Sequence, residues 1–153
     1  MYKLTIEKDA QDDLRGMISE GRAAKTAAAR IVAFLQELKQ SPSQLSELLT
    51  RGFKNDTFNV DKFISLYDTG LNLWRVALYE FDFDTQKRWQ MPYRILYGYD
   101  QPCYTFRVLG VLPRNFNYET DHDLTKRICR AYDNLGMPKH KPNIAYSRRD
   151  KPT

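Results

Sequence analysis

The chain has 153 residues, 42% of them apolar, and a formal net charge of +5. That length supports one domain with its own core, without the disulfides or structural metal that much shorter chains need. No apolar run approaches the roughly 20 residues that span a bilayer, and MYKLTIEKDA has no apolar stretch of the secretory kind, so a soluble, cytoplasmic protein that does not enter a membrane is expected. Residues 136–153 hold Lys139, Lys141, Arg148, Arg149 and Lys151 against Asp150. That segment accounts for +4 of the charge and leaves the body at +1, so any polyanion site must rest on a local cluster of basic side chains.

Tyr2, Leu4 and Ile6 fall on one side of a short first strand. Asp9 can cap a helix whose stripe is Leu14, Met17 and Ile18 and whose stop is Gly21. A second helix is predicted over 22–40, with Ala23, Ala27, Ile31, Phe34, Leu35 and Leu38 recurring at three and four until Ser41-Pro42 breaks it. The two form a helical hairpin. A short helix is read at 43–50, closed by Gly52, and between it and Gly70 the residues Val60, Phe63, Ile64 and Tyr67 fit a helical period better than alternation.

From Leu71 the texture changes to three strand-like runs, LNLWRVALYEFD, WQMPYRILYGYD and CYTFRVLGVL, separated by DTQKR and by Asp100-Gln101-Pro102. They read as an antiparallel meander. Both of its faces are largely apolar, so the helical hairpin should cover one and something else part of the other. Pro113 ends the third run. Thr120 or Asp121 opens a last helix, with Leu124, Ile128, Ala131, Tyr132 and Leu135 on one face and Gly136 past its end. The expected organisation is an α+β domain over 1–135, followed by a basic, disordered tail over 136–153 with Pro138, Pro142 and Pro152. His140 lies in that tail and is read as inert.

Cys103 and Cys129 lack the spacing of a zinc or redox motif and read as small buried hydrophobes. With two histidines, and with Asp121 and Asp123 in no calcium-loop pattern, no metal is expected; the absence of a Walker loop, GxGxxG and GxSxG removes the commonest cofactor and serine-hydrolase readings.

Each run of the meander places one arginine among apolar neighbours: Arg75, Arg94 and Arg107, with Arg114 just after the third. A guanidinium in mid-sheet must be paired or meet an anion, because burying it alone is costly. Two readings stay open. Each arginine can pair internally, with Glu80, Asp82 or Asp84 as candidates, or several can converge on one phosphodiester, where forked donors stabilise the charge that grows as the bond breaks. The following PRNFNYETDHD carries Arg114, Tyr118 and His122 at intervals of four. RNA cleavage by internal attack needs the 2′-hydroxyl activated, the 5′-oxygen protonated and the phosphate charge neutralised, which tyrosine, histidine and arginine can do. Packing for Tyr118 and a surface or capping role for His122 are the bland alternatives.

The order strand, helical hairpin, antiparallel strands and C-terminal helix, carrying LWRVALYEFD, then PYRILYGYD, then FRVLGVLPRNFNY, resembles the RelE/ParE superfamily of toxins from type II toxin-antitoxin systems, over about residues 2–135. The resemblance implies a RelE-like fold, with an N-terminal strand and helical hairpin packed on an antiparallel sheet and a C-terminal helix. It further implies a toxin that inhibits translation by metal-independent endonucleolytic cleavage of mRNA at the ribosome, needs no cofactor and is neutralised by a cognate antitoxin. By position, Arg94 matches the arginine at the scissile phosphate and Arg114 the basic residue closing the last strand. Tyr118 stands nearest the late tyrosine of the family, and His122 can fill the acid/base role instead. Arg75 and Arg107 are expected to contact RNA. Ala77 stands where ribosome-dependent members carry a second basic residue, which keeps open the branch that poisons DNA gyrase, as well as a non-enzymatic binding domain.

Overall fold

A computed structural model describes residues 1–117 and 121–141. In chain order these form β1 (Lys3–Ile6), α1 (Lys8–Glu20), α2 (Arg22–Lys39), α3 (Pro42–Glu47), β2 (Phe58–Lys62), α4 (Ile64–Tyr67), β3 (Leu73–Asp82), β4 (Lys87–Asp100), β5 (Thr105–Pro113) and α5 (His122–Asn134). One mixed sheet runs in the order β1-β5-β4-β3-β2; β1 lies parallel to β5 and every other pair is antiparallel. The architecture is α+β, and the predicted meander is β3-β4-β5. Among the described residues no helix is long and apolar enough to cross a membrane.

Both faces of the sheet are covered. On one, α1, α2 and α3 bring Leu14, Met17, Ile31, Phe34, Leu35 and Leu45 against Val76, Ile95, Tyr97, Phe106 and Val108. The buried alanines Ala24, Ala27 and Ala28 on the early turns of α2 keep that helix close to its neighbours. On the other face α4, α5 and Met137 build a smaller core on Leu73, Leu96, Leu109 and Leu112. The bulge that leaves Leu109 between the pairs Leu96–Gly110 and Tyr97–Val108 shifts the alternation of β5, so that Val111 joins Val108 in the first core and Leu112 joins Leu109 in the second. Pro92 sits where the β3–β4 register shifts, the place at which a strand residue without an N–H is tolerated.

Helix α5 is tied to α1 across β5. Arg127 donates both Nη atoms to the two carboxylate oxygens of Asp13 at 2.8 Å, and Asp13 accepts the Val111 N–H at 2.9 Å, beyond the point where β1 stops pairing. A Cβ on Gly110 would stand 3.1 Å from Arg127 Nη2 and 3.3 Å from Asp13 Oδ2, so a side chain there would press on the bridge.

Five local expectations change. Ile18 and Ala23, expected on the apolar stripes of α1 and α2, are exposed, and Ala10 and Ala24 are buried in those helices instead. The residue before α1 is Glu7, not Asp9, which lies inside the helix. The stretch before Gly70 is a strand and a single helical turn: Phe58 and Val60 bury alternately in β2, the strand is launched by Asn55 Oδ1 accepting the Thr57 and Phe58 N–H groups, and α4 starts after one intervening residue, Phe63. Cys103 is exposed in a 3₁₀ turn and Cys129 is only half-buried. The body also does not end at residue 135. Met137 is 4% exposed, Lys139 bridges to Leu71, and the His140 N–H donates to the Gly70 carbonyl at 2.9 Å. The strap packs over Gly98, where a Cβ would meet Met137 Cε at 2.7 Å and displace the end of that side chain. His140 stacks on Tyr67, centroids 4.3 Å apart, where the sequence suggested an idle tail residue. Arg148, Arg149 and Lys151 lie outside the described residues.

Candidate functional site

The sheet register decides which arginines meet. Arg75 on β3 faces Leu96 on β4; one row along, Ala77, Arg94 and Leu112 align across β3, β4 and β5. These residues share the face opposite the helical hairpin, so Arg75 and Arg94 project from neighbouring positions of the same surface. Arg114 joins them from just beyond β5, its N–H held by the Pro92 carbonyl at 2.9 Å. Together the three arginines line a cleft whose apolar lining is Phe63, Leu96, Leu112, Pro113 and Phe116. The cleft continues outward past Lys62, Ile64, Ser65, Asn115 and Asn117.

Two short connections frame it. Phe63 follows β2 directly, its N–H bonded to the Leu73 carbonyl at 2.9 Å. Phe116 sits in the turn after β5, its N–H on the Pro113 carbonyl at 3.0 Å. The two rings lie 5.6 Å apart at a tilt of 45°. Lys62 lies over the Tyr67 ring, 4.1 Å from its centroid, which fixes a fourth cation at the edge of the cleft.

The electrostatics of the three arginines differ. Arg75 has partners: its Nη1 donates to Asn59 Oδ1 at 3.2 Å and its Nη2 lies 3.8 Å from Asp61 Oδ2. Asn59 is itself held by the Tyr79 hydroxyl, so Arg75 is oriented without being fully neutralised. Arg94 is half-buried, and its buried Nε has no hydrogen-bond partner. Burial, then Arg75, then Arg114 pull its pKa below the ordinary value of a guanidinium, with Asp61 opposing. A guanidinium stays charged under that pressure, so the cleft carries concentrated positive charge and an unmet donor. Ala77, fully buried beside Arg94, leaves the neighbouring place on β3 without charge.

The other expected site residues lie elsewhere. Arg107 is bound by its Nε to Asp100 and by its Nη1 to Glu7, both at 3.0 Å, and tethers β5 to the chain before α1 and to the end of β4. It is a satisfied structural cation outside the cleft. Its partners are not the predicted set: Glu80 accepts the Trp89 indole N–H, and Asp82 accepts the Asp84 N–H. His122 opens α5 and lines a separate concavity with Asp121, Asp123 and Leu124. Tyr118 lies outside the described residues. Phe63, Phe116 and Lys62 line the cleft and Asp61 pairs with Arg75; none of these was singled out as functional from the sequence.

Among the described residues no group of three or more His, Cys, Asp or Glu side chains is placed to hold a metal ion. A scan against protein-family models, a search of curated proteins and a search of solved structures each return no match.

Proposed function

We propose that this chain is a RelE/ParE-type toxin with a RelE-like fold that binds mRNA at the arginine cleft and cleaves it endonucleolytically, arresting translation at the ribosome until a cognate antitoxin neutralises it. The observation that carries this reading is Arg94, whose charge is crowded by Arg75 and Arg114 and whose buried Nε has no partner. A protein gains no stability from such an arrangement, and it becomes favourable when an anion with several acceptor oxygens arrives. A phosphodiester is such an anion.

In the proposed reaction the 2′-oxygen attacks the adjacent phosphorus, its proton passing to a base on the protein. The bond to the 5′-oxygen breaks and that oxygen takes a proton, leaving a 2′,3′-cyclic phosphate and a 5′-hydroxyl. Arg94 and Arg114 hold the non-bridging oxygens and stabilise the added negative charge, while Arg75, oriented by Asn59 and Asp61, holds the strand. Tyr118 and His122 are the candidates for proton transfer. His122 lines a concavity separate from the arginine cleft, and Tyr118 is kept as a candidate on the resemblance alone.

The test is induced expression in a bacterial host, with primer extension on a reporter mRNA, comparing wild type with Arg94→Ala and Arg114→Ala. New 5′ ends within translated codons, lost in both variants, are the expected result. Growth arrest without cleavage would transfer the reading to a protein target such as gyrase, and no arrest to a non-enzymatic binding domain.

A further inference from the structure

The arginines account for a phosphate, but not for the apolar half of the cleft. Phe63 and Phe116 line both its inner and outer parts, alongside Arg75 and Arg94, with Leu96 and Leu112 beneath. At 5.6 Å and 45° the two rings are not stacked face to face, so each keeps ring surface that the other does not cover. Both are partly buried and packed on the second core, which makes them a rigid shelf. A small inorganic anion or an acidic side chain would engage the guanidinium groups and leave this shelf in water. A nucleotide supplies both halves, an anionic phosphate and a flat π-face, and Ser65, Asn115 and Asn117 add polar groups along the outer wall.

We infer that the Phe63–Phe116 shelf seats the base of an unpaired nucleotide whose phosphate lies among Arg75, Arg94 and Arg114, so that the cleft selects single-stranded RNA. This rests on the proposed RNA-cleaving function and adds its substrate class. In a duplex the base faces are already occupied by stacking, and the narrow, deep major groove keeps side chains from them. Single-stranded RNA exposes base and phosphate together, at the cost only of local unstacking.

The experiment is fluorescence anisotropy with a 5′-fluorescein-labelled 2′-O-methyl RNA strand, which cannot undergo internal attack. It is presented single-stranded, annealed to its complement, or with one abasic position moved along it. The proteins are wild type, Phe63→Leu, Phe116→Leu, Phe116→Tyr and Arg94→Met, each confirmed folded by thermal unfolding. The single strand should bind at least tenfold tighter than the duplex. Either leucine variant should weaken it by roughly five- to one-hundredfold, as expected for loss of one base–aromatic stack, whereas tyrosine should preserve binding. One abasic position should weaken the wild type to a similar extent and add nothing in the leucine variants.

If Arg94→Met weakens binding while the leucine variants and the abasic strands match wild type, the shelf is overturned and the phosphate cleft stands. If polyglutamate displaces the strand as well as unlabelled RNA does, the shelf is overturned in favour of an acidic protein partner. If no strand binds, both the shelf and the RNA reading fall.

Discussion

Arg94→Met replaces a half-buried guanidinium by an unbranched apolar side chain of related length, filling the inner cleft while removing the charge. In the free protein that charge is held beside Arg75 and Arg114, and one of its donors is buried without a partner. An unsatisfied buried donor costs about 1–3 kcal/mol. Solvent reaches part of this guanidinium and screens the repulsion, so the expected gain on substitution is near the lower end, about 1 kcal/mol. For a chain of this size that raises Tm by about 2–4 °C. RNA binding should move the other way. Loss of charge-assisted hydrogen bonds worth about 1.5–3 kcal/mol weakens the affinity by roughly 10- to 150-fold. The assay pairs differential scanning calorimetry of the free proteins with anisotropy titrations on a single-stranded RNA. A more stable protein that binds less well identifies a residue kept for a ligand. A variant less stable than wild type by more than about 1 kcal/mol, with unchanged RNA affinity, would refute the argument, because Arg94 would then be supporting the fold.

Arg107→Met should behave oppositely: stripping Glu7 and Asp100 of their common partner costs about 2–3 kcal/mol in urea unfolding and leaves RNA affinity unchanged. Asp61→Asn removes the carboxylate that partly offsets Arg75, and should tighten RNA binding roughly two- to fivefold at low salt, a gain that disappears at high ionic strength. Tyr97, fully buried, donates its hydroxyl to the Leu48 carbonyl, so Tyr97→Phe should cost about 1–2 kcal/mol at neutral pH. Burial raises the Tyr97 pKa well above 10.0, outweighing the opposing effect of Arg75. The unfolded chain therefore ionises first: the stability linked to this group is complete below pH 10 and is lost as pH rises through the folded value. Urea unfolding followed across the alkaline range should show a shallower loss in Tyr97→Phe than in wild type.

Where one periodicity runs uninterrupted, the elements were legible. The stripes of α1 and α2, apart from the exposed Ile18 and Ala23, and the long apolar runs of β3, β4 and β5 each span enough residues for one period to dominate, and the apolar second face of the meander correctly announced a cover. Residues 58–67 failed because β2 and α4 are separated by one residue. Val60 belongs to a strand and Ile64 and Tyr67 to a helical turn, and their combined spacing imitates a single helix. Strand pairing to β3 is a tertiary fact that overrides so short a pattern. The strap after α5 was missed for a similar reason: one apolar residue, Met137, anchors it among polar and proline neighbours, and composition averages that anchor away. Of the acidic partners of Arg107, Glu7 was out of reach, since it comes through the parallel β1–β5 pairing, 100 residues away in sequence, whereas Asp100 lies only seven residues away across the β4–β5 turn. In the cleft, Phe63 and Phe116 were visible only as apolar residues near turns, and nothing local marked them as neighbours.

The comparison between Arg94 and Arg107 shows how one sequence pattern divides into two physical roles. Both are single arginines in apolar strand runs, and both raise the same question of what compensates the charge. For Arg107 the fold brings two carboxylates at 3.0 Å, one from each side, so the pair network closes within the chain. For Arg94 the register brings Ala77 on one flank and Leu112 on the other, neither of which can accept a hydrogen bond, and the nearest charged groups include two more arginines. A strand pair that selected only for stability would place an acidic or apolar residue at position 94, since either removes the unmet donor at little cost in packing. That the acid nearest the cluster, Asp61, instead sits against Arg75 and is shared with Arg51 at 3.1 Å leaves the inner cleft with net positive charge. The proposed nucleotide would bring that compensation from outside the chain, its phosphate meeting the arginines and its base the Phe63 and Phe116 rings beside them.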